Sequence, residues 1–530
     1  MTKTGILAPE QLDEFSPEEV LTSYPRHTLT VNALVASRAA MAPGRTMIVD
    51  QQRQWTWGEC LDEAALLAGH LRESGVRRGH RVALIAPNSG WHVLVLLASA
   101  RLGAIFVPMN PDLTAPELSY MIELADPTVV LHSVDRAELA AAASPGSGIL
   151  HPLGEELLAA TPVTEDRSLP DDSCIIIFTS GTTGYPKAVL HTQRTLLLAG
   201  EGFVARVRLQ PTDRCLVMLP LFHINAVFYS LTGALSAGAT LVIEPKFSAS
   251  RFWSLVEEQQ ITQTNMIEAI GAILLKRPAE EFHPDHTLRK VYGIRESLSH
   301  AFRARFDVPH LVGGYGMTEI PAVLATAYHS APPTGSMGRL QSHPGSAQPL
   351  AECRIVEDGE DVAVGEVGEL WVRTPTVMLG YYHDVEQTDA AFVGQWFRTG
   401  DLVRRDEDDW FHFVARRKDI IRRRGENISG AELDREFSAH PDVILAAAIG
   451  IPSDMGDEEV LLVVTPDPNA NLRAIDIRDH AADTLSPVKA PRYLVFRDQL
   501  PLTSTGKVAK HLLKQDQTLI ADSIDLTTLN

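Results

Sequence analysis

A run of hydroxyl side chains, glycines and one lysine follows an apolar segment in the first half of the chain. The apolar residues 174–177 predict a buried strand. The run after them contains Thr179, Ser180, Gly181, Thr182, Thr183, Gly184 and Lys187. Glycine lets backbone N–H groups close on an anion without a Cβ in the way, and hydroxyls and a lysine add further donors. These residue types in this order predict a loop that binds phosphate groups.

The phosphate loop differs from the common P-loop, which needs Gly, four residues and then Gly-Lys-Ser/Thr. Tyr185 and Pro186 separate Gly184 from Lys187. The other Gly-Lys pair of the chain ends at Lys507 and is followed by a valine. The sequence therefore indicates a different class of nucleotide-binding protein.

Five motifs together resemble those of the adenylate-forming superfamily, which comprises acyl-CoA synthetases, the adenylation domains of peptide synthetases, and luciferases. The phosphate loop is the first, and the others lie at residues 315–319, 398–401, 416–421 and 500–507, in the order of that family. A single motif of this kind would carry little weight. Five in order, from about residue 30 to the C-terminus, identify the chain as similar to the superfamily over most of its length.

The resemblance implies which residues bind ATP. The phosphate loop would hold the β- and γ-phosphates. The remaining nucleotide contacts would come from Gly314, Tyr315, Gly316, Met317, Asp401 and Arg416. In this assignment Tyr315 stacks on adenine, Asp401 accepts the ribose hydroxyls, and Arg416 donates to the same ribose.

The resemblance also implies the catalytic groups. Thr318 would contact the α-phosphate, and Glu319 would bind Mg²⁺, a hard cation that prefers carboxylate oxygen. Lys507 would bridge the substrate carboxylate and the α-phosphate. His223 would control passage between the acid and the ATP. Taken singly, each residue has an ordinary alternative: a turn aspartate, a helix-capping glutamate or a solvated lysine.

The acid pocket would be lined by His223, Asn225, Asn265, Glu268, Ile294, Arg295 and Ile320. Its polar members favour a small or polar acid if they point inward. The alternative is that Arg295 and Glu296 pair with each other at the surface. Residues 222–225, 247–253 and 425–429 look most like the carnitine/crotonobetaine–CoA ligase branch. We do not carry over the substrate of that branch, because Asn225 stands where it is expected to have an acid.

Composition excludes some partners. The formal net charge of −20 argues against nucleic acid as a partner. Four scattered cysteines, without a Cys-x-x-Cys pair, favour reduced thiols and a cytoplasmic enzyme. The N-terminal residues lack the apolar core of a signal peptide, and the most apolar stretch, residues 92–108, is too short and interrupted to span a membrane. We expect a monomer or a homodimer.

The elements that position these motifs follow from hydrophobic periodicity. Helical and strand patterns alternate up to about residue 335, which predicts an α/β fold with helix-covered, mainly parallel sheets. Short strands between turn residues then predict a small β-barrel-like unit over about 335–415. The predicted domains are an N-terminal adenylation domain at 1–415, a hinge at 416–419 that includes Lys418, and a mobile α+β domain at 420–530.

These features predict an ATP-dependent carboxylic acid–CoA ligase, with Gly425 beside the path of the thiol. A cluster of arginines between residues 404 and 424 could meet the phosphates of CoA or an acidic acyl-carrier protein, or be a solvated charge run. The alternative function is a stand-alone adenylation enzyme that loads an amino or polar acid onto a carrier protein or an amine. A non-catalytic nucleotide-binding protein would not need Lys507, and no Gly-x-Ser-x-Gly motif supports a serine hydrolase.

Overall fold

The computed structural model describes residues 15–51, 53–179, 186–294, 296–329, 332–344, 349–423, 426–453, 458–502 and 508–529. These residues form two compact units. The first holds the described residues up to Thr179, those of Pro186–Glu352, and Val372–Phe397. The second holds Cys353–Trp371 and the described residues from Arg398 onward. The domain boundaries and the hinge proposed from the sequence stay predictions.

Strands are distributed along the whole described chain. Up to residue 340 they are β1 (Thr46–Val49), β2 (Gln54–Thr56), β3 (Arg81–Ile85), β4 (Ile105–Met109), β5 (Val129–His132), β6 (Ile149–Pro152), β7 (Ser173–Thr179), β8 (Lys187–Thr192), β9 (Arg214–Val217), β10 (Thr240–Ile243), β11 (Gln263–Asn265), β12 (Lys290–Tyr292), β13 (His310–Val312), β14 (Gly314–Tyr315), β15 (Leu324–Ala325) and β16 (Ser336–Leu340). After it they are β17 (Glu352–Glu357), β18 (Glu360–Asp361), β19 (Val367–Arg373), β20 (Gly380–Tyr381), β21 (Phe392–Val393), β22 (Trp396–Arg405), β23 (Phe411–Arg416), β24 (Ile420–Arg423), β25 (Glu426–Ser429), β26 (Val443–Pro452), β27 (Glu458–Pro466), β28 (Tyr493–Phe496) and β29 (Ile524–Asp525).

Helices alternate with the strands of the first unit and recur in the second. They are α1 (Pro17–Thr22), α2 (Val31–Ala39), α3 (Trp57–Glu73), α4 (Gly90–Arg101), α5 (Ala115–Ala125), α6 (Ala137–Ala143), α7 (Gln193–Val207), α8 (Thr232–Ala237), α9 (Phe252–Glu258), α10 (Glu268–Leu275), α11 (Glu296–Phe306), α12 (Val385–Ala390), α13 (Gly430–Ser438), α14 (Ala474–Thr484), α15 (Lys510–Gln515) and α16 (Thr518–Ala521). A π-helix, Asn225–Leu231, directly precedes α8.

Two mainly parallel sheets organise the first unit, which confirms the predicted fold class. One has the order β13-β12-β11-β9-β10-β1-β2, and only the β1–β2 pair is antiparallel. The other has the order β20-β8-β7-β4-β3-β5-β6, and β8 is antiparallel to both of its neighbours. Helices such as α3, α4 and α7 supply the crossovers or covering layers that parallel sheets require.

Alternate residues of the central strand β3 face two different cores. Val82 and Leu84 belong to a core that also includes residues of both sheets and of α3, α4 and α7. Ala83 and Ile85 belong to a core on the opposite face, with α5. The most apolar stretch of the sequence forms α4 and β4, and nearly every residue of α4 is buried. Within the described ranges, no helix is long and apolar enough to cross a membrane.

The second unit begins with antiparallel strands and ends with a mixed sheet. Strands β18, β17, β19, β22 and β23 lie side by side in that order. In the described residues this sheet has β18 at its edge, so the predicted β-barrel-like unit is an open sheet and not a closed barrel. The C-terminal strands β26, β27, β28 and β29 form a sheet that holds one parallel pair, β27–β28. This arrangement matches the α+β character predicted for the C-terminal part.

Candidate active site

The carboxyl ends of neighbouring parallel strands bring several predicted pocket residues to one edge of the first sheet. Asn265 at the end of β11 lies opposite Tyr292 of β12, which lies opposite Val312 of β13. Gly293 follows β12 with φ +99°, and a Cβ there would lie 2.1 Å from the carbonyl oxygen of Met266. Only glycine fits this sharp turn, which directs the chain after β12 across the strand ends.

Two predicted pocket residues, Asn225 and Asn265, are joined by a hydrogen bond. The side-chain nitrogen Nδ2 of Asn265 donates to Oδ1 of Asn225 over 2.7 Å, and Nε2 of Gln263 donates to Oδ1 of Asn265 over 2.7 Å. Asn225 is the first residue of the π-helix, an arrangement that is frequent at functional sites. The structure thus places a chain of amide groups at the strand ends, 40 residues apart in sequence at its last step.

The remaining pocket residues lie around this amide chain or close to it in sequence. Ile294 is 2% exposed and faces Gly271 of α10, where a Cβ would lie 3.3 Å from the isoleucine. Glu268 is the first residue of α10 and is half-buried, and Ile320 is fully buried. His223 is half-buried, with its ring centroid 4.6 Å from that of Phe222.

The segment Gly314 to Glu319 is held by contacts from distant parts of the first unit. Gly314 and Tyr315 pair with Ala325 and Leu324 in antiparallel register. The carbonyl oxygen of Thr318 accepts a hydrogen bond of 2.7 Å from Nε2 of His191. Burial lowers the pKa of His191 to about 4, so its imidazole is neutral at pH 7 and can act as this donor. His191 is therefore a positioning residue for Thr318.

A charged chain of three residues connects the phosphate loop to the 314–319 segment. The hydroxyl of Tyr381 donates to Oε1 of Glu319 over 2.8 Å, and Nζ of Lys187 lies 4.6 Å from the centroid of the Tyr381 ring. Glu319 is 7% exposed. Burial, with the Glu319 charge as a further cause, raises the pKa of Tyr381, so the phenol remains a donor throughout the neutral range. Tyr381 fixes the orientation of Glu319 and receives the lysine as a cation–π partner.

Sequence reasoning missed Tyr381, and it also missed Tyr229 and Tyr292. Tyr381 belongs to the two-residue strand β20, which pairs with β8 beside Val189. Its local pattern is that of any half-buried strand tyrosine. A weak signal exists in Gly380, whose φ of +153° and close contact with Thr388 mark a special turn, but its partner 62 residues away cannot be inferred from spacing.

In the second unit, the two predicted ribose ligands form an ion pair. Nε of Arg416 lies 2.7 Å from Oδ1 of Asp401, and the two residues are directly opposite on β22 and β23. Asp401 is 1% exposed, and its backbone nitrogen donates to the Thr399 hydroxyl over 3.0 Å. Gly400 adopts φ +69°, which lets the strand turn the carboxylate toward Arg416. A buried carboxylate held in this way is suited to accept paired hydroxyl groups.

The arginine cluster of the second unit is partly committed to internal pairs. Arg417 pairs with Glu357 over 2.8 Å. Arg423 is 4% exposed, pairs with Glu459 over 2.7 Å, and donates to the carbonyl oxygens of Val488 and Ala490. Arg423 therefore stabilises the fold of this unit and is not an exposed phosphate ligand.

Some predicted residues lie outside the described ranges. They are Ser180, Gly181, Thr182, Thr183, Gly184, Arg295, Gly425 and Lys507. Thr179 and Lys187, which border the phosphate loop, are described, and they pair with each other across β7 and β8. The backbone of Lys418 belongs to a short 3₁₀ turn, Arg417–Asp419.

Comparison with known proteins agrees with the motifs. The family model "AMP-binding enzyme" matches residues 35–382, and the model "AMP-binding enzyme C-terminal domain" matches residues 432–507. A feruloyl-CoA synthase of Amycolatopsis sp is 32% identical over 489 residues, which are 89% of this chain and 96% of the relative. An indoleacetate–CoA ligase of Aromatoleum aromaticum is 32% identical over 498 residues, 90% of this chain and 96% of the relative. The crystal structure of ATP-bound MatB from Rhodopseudomonas palustris superposes with a TM-score of 0.83 at 26% identity, and covers 93% of this chain and 99% of that one.

Proposed function

The chain belongs to the AMP-binding enzyme family, and from this premise we propose that it is an ATP-dependent ligase that joins a small, polar carboxylic acid to CoA. The reaction class is that of its CoA-ligase relatives. The observation that carries the proposal is the arrangement in the first unit. There, Lys187, Tyr381 and Glu319 form a charged chain, and Asn225 and Asn265 present amide groups at the strand ends.

The chemistry proceeds in two half-reactions. A carboxylate is a poor electrophile, because its charge repels nucleophiles and its leaving group would be oxide. A carboxylate oxygen therefore attacks the α-phosphorus of ATP, the bond to the β-phosphate oxygen breaks, and pyrophosphate leaves. The thiolate of CoA then attacks the acyl carbon, and AMP leaves with the electron pair of the carbon–oxygen bond. Positioning and charge stabilisation dominate the catalysis of such transfers.

In this proposal each described residue has one task. Lys187 contacts the terminal phosphates, Thr318 the α-phosphate, and Tyr315 the adenine. Asp401 and Arg416 bind the ribose hydroxyls. His191 supports the role of Thr318, because it holds that residue by its carbonyl oxygen and leaves the side chain for the nucleotide. His223 would control passage between acid and ATP, Lys418 would be the hinge, and Gly425 would lie beside the thiol.

The residues present fit a Mg²⁺ ion at Glu319. Mg²⁺ usually keeps several waters and is bound through one or two carboxylates together with substrate phosphates. Tyr381 donates to only one oxygen of the Glu319 carboxylate, which has acceptor capacity for more than one partner. When bound, the ion would neutralise charge on the phosphates. Tyr381 would orient the carboxylate that holds it.

The packing under the 314–319 segment supports a small acid. A Cβ on Gly314 would lie 2.3 Å from the hydroxyl oxygen of Tyr292, and one on Gly316 would lie 3.0 Å from that of Tyr229. Both tyrosines are at most 5% exposed, and their ring centroids lie 5.5 Å apart. The two phenols thus fill the space behind the segment where a long acyl chain would have to enter.

We test the function by measuring pyrophosphate release over a panel of small acids, with and without CoA. The expected result is release that depends on one class of polar acid, and an acyl-CoA product when the thiol is present. Release that CoA does not convert to a thioester would favour a carrier protein or an amine as the acceptor. No release with any acid would contradict the ligase function itself.

Asn225→Leu is expected to shift acid preference toward apolar chains. The change removes a hydrogen-bonding amide of similar volume and leaves any polar group of the acid unpaired, which costs about 1–3 kcal/mol. The measurement is kcat/KM for matched polar and aliphatic acids, with little change expected in the KM for ATP.

Asn225→Asp is the matched control, because its carboxylate still accepts the hydrogen bond from Asn265. If both variants shift the preference equally, the effect comes from charge or local structure. If Asn225→Leu leaves the ranking of acids unchanged, Asn225 does not contact the acid.

A cytoplasmic location belongs to the proposal as well. It rests on the free cysteines Cys60, Cys174, Cys215 and Cys353, of which the first three are buried.

A further inference from the structure

Arg206 is a buried cation near the C-terminal end of α7. Its side chain belongs to a residue that is only 2% exposed, and the nitrogens Nε, Nη1 and Nη2 are all buried without a hydrogen bond of normal geometry. Burying a guanidinium without a counter-charge or acceptors is costly, and such groups are normally paired. An arginine in this state indicates that an anionic partner arrives from outside the chain.

Other buried cations of the first unit have partners. Arg38 donates to Ser37 and to the carbonyl oxygen of Ser236, both over 2.6 Å. Lys290 pairs with Asp213 over 2.6 Å. Glu201, the acidic residue of α7 itself, is engaged by His27 at 3.2 Å and His343 at 2.8 Å. Arg206 therefore differs from the buried cations whose pairing completes the fold.

The neighbours of Arg206 are the two tyrosines behind the 314–319 segment. The guanidinium carbon lies 5.9 Å from the Tyr229 ring centroid. Burial raises the pKa of both Tyr229 and Tyr292, and the charge of Arg206 acts in the opposite direction on both. The Tyr229 hydroxyl accepts from the backbone nitrogen of Ala322 over 3.0 Å, so its own proton remains for another acceptor.

The order of groups is therefore a cation, then two phenol hydroxyls, then the glycine-containing segment that carries Tyr315 and Thr318. The hydroxyls of Tyr292 and Tyr229 reach Gly314 and Gly316 respectively. Phenol O–H groups backed by a buried positive charge are strong donors to an anion in a site of low dielectric. A neutral alkyl or aryl group would gain nothing from this charge.

We propose that the acid substrate carries a second anionic group, a carboxylate or sulfonate, which accepts hydrogen bonds from Tyr229 and Tyr292 and is neutralised by Arg206. This inference rests on the proposed ligase function and specifies its substrate class. The acid is short, because the hydroxyls stand directly behind the segment at which the activated carboxylate must lie. Arg206 acts through the tyrosines and is a positioning and specificity-determining residue.

The test compares acid pairs that differ in the distal group: malonate with propanoate, and succinate with butanoate. Pyrophosphate release gives kcat/KM for each acid. The wild-type protein is expected to prefer the dianion of at least one pair. Arg206→Met should lower kcat/KM for the dianion by roughly 10- to 150-fold, the scale of a buried hydrogen-bonded charge, and change that for the monoanion by only a few-fold. Arg206→Lys should retain part of the preference.

Arg208→Met is the matched control, because it removes a cation two residues further on that lies over Tyr328 and not over the pair. It should leave the preference unchanged. If Arg206→Met does not fold by circular dichroism, Tyr292→Phe removes only a hydroxyl and should lower dianion activity selectively. A wild-type preference for monoanions, or a dianion preference that survives Arg206→Met, overturns the inference while the ligase function stands. Absence of pyrophosphate release with every acid of the wider panel contradicts the ligase function instead.

Discussion

Lys507→Ala is expected to slow acyl-adenylate formation roughly 10²- to 10³-fold, the scale of losing one group that stabilises charge in the transition state. The lysine lies in the last motif, Thr505-Gly506-Lys507, outside the described residues. In the proposed mechanism it bridges the carboxylate and the α-phosphate, which approach each other only in the first half-reaction. Pyrophosphate release should therefore collapse, while thioester formation from presynthesised acyl adenylate should change much less.

The control for this variant is Lys514→Ala, which removes a lysine of α15 that no motif includes. Both half-reactions should proceed at the wild-type rate in that protein. Equal loss of both half-reactions in Lys507→Ala would show that the lysine supports the structure or the binding of AMP in general, and the bridging role would be wrong.

Glu319→Gln is expected to lower the rate of pyrophosphate release by a similar factor, about 10²–10³ at a fixed, low Mg²⁺ concentration. The amide keeps the shape of the side chain and can still accept the hydrogen bond from Tyr381. It removes the negative charge that a hard cation requires. The rate measured against Mg²⁺ concentration should recover in part as the ion is raised.

Tyr381→Phe separates orientation from charge at the same place. It removes the hydrogen bond to Glu319 and keeps the ring that Lys187 faces at 4.6 Å. Loss of a group that orients a metal ligand typically lowers metal affinity 10- to 100-fold, so a shift of that size in the Mg²⁺ dependence is expected. A Glu319→Gln protein with the wild-type rate at every Mg²⁺ concentration would show that Glu319 is not the metal ligand.

The elements of the first unit could be predicted from periodicity, because each side chain there is selected by a local rule. The pattern of Leu61, Ala64, Ala65, Ala68 and Leu71 predicts a helix, and α3 (Trp57–Glu73) contains all of them. The apolar run at residues 174–177 lies within β7. The β unit was predicted less well, because closure of a barrel depends on how the end strands meet and not on the pattern within any strand.

The proposed site was predicted in part. Asn225 and Asn265 were both expected near the acid, and the structure joins them. Asp401 and Arg416 were both expected at the ribose, and they form an ion pair. These successes came from motifs whose order identifies the family. The acid itself does not follow from that order, since relatives of equal similarity act on different acids by name.

The sequence by itself determined the alternation of strands and helices, the family, and the reaction class, because these depend on local periodicity and on motifs of contiguous residues. Only the tertiary structure identified Tyr381 as the link between Lys187 and Glu319, and Arg206 as a buried cation behind Tyr229 and Tyr292. An arginine on a helix is indistinguishable in sequence from a solvated one. Its burial and its lack of a counter-charge are properties of the packing around it, which brings together residues from α7, the π-helix and β12.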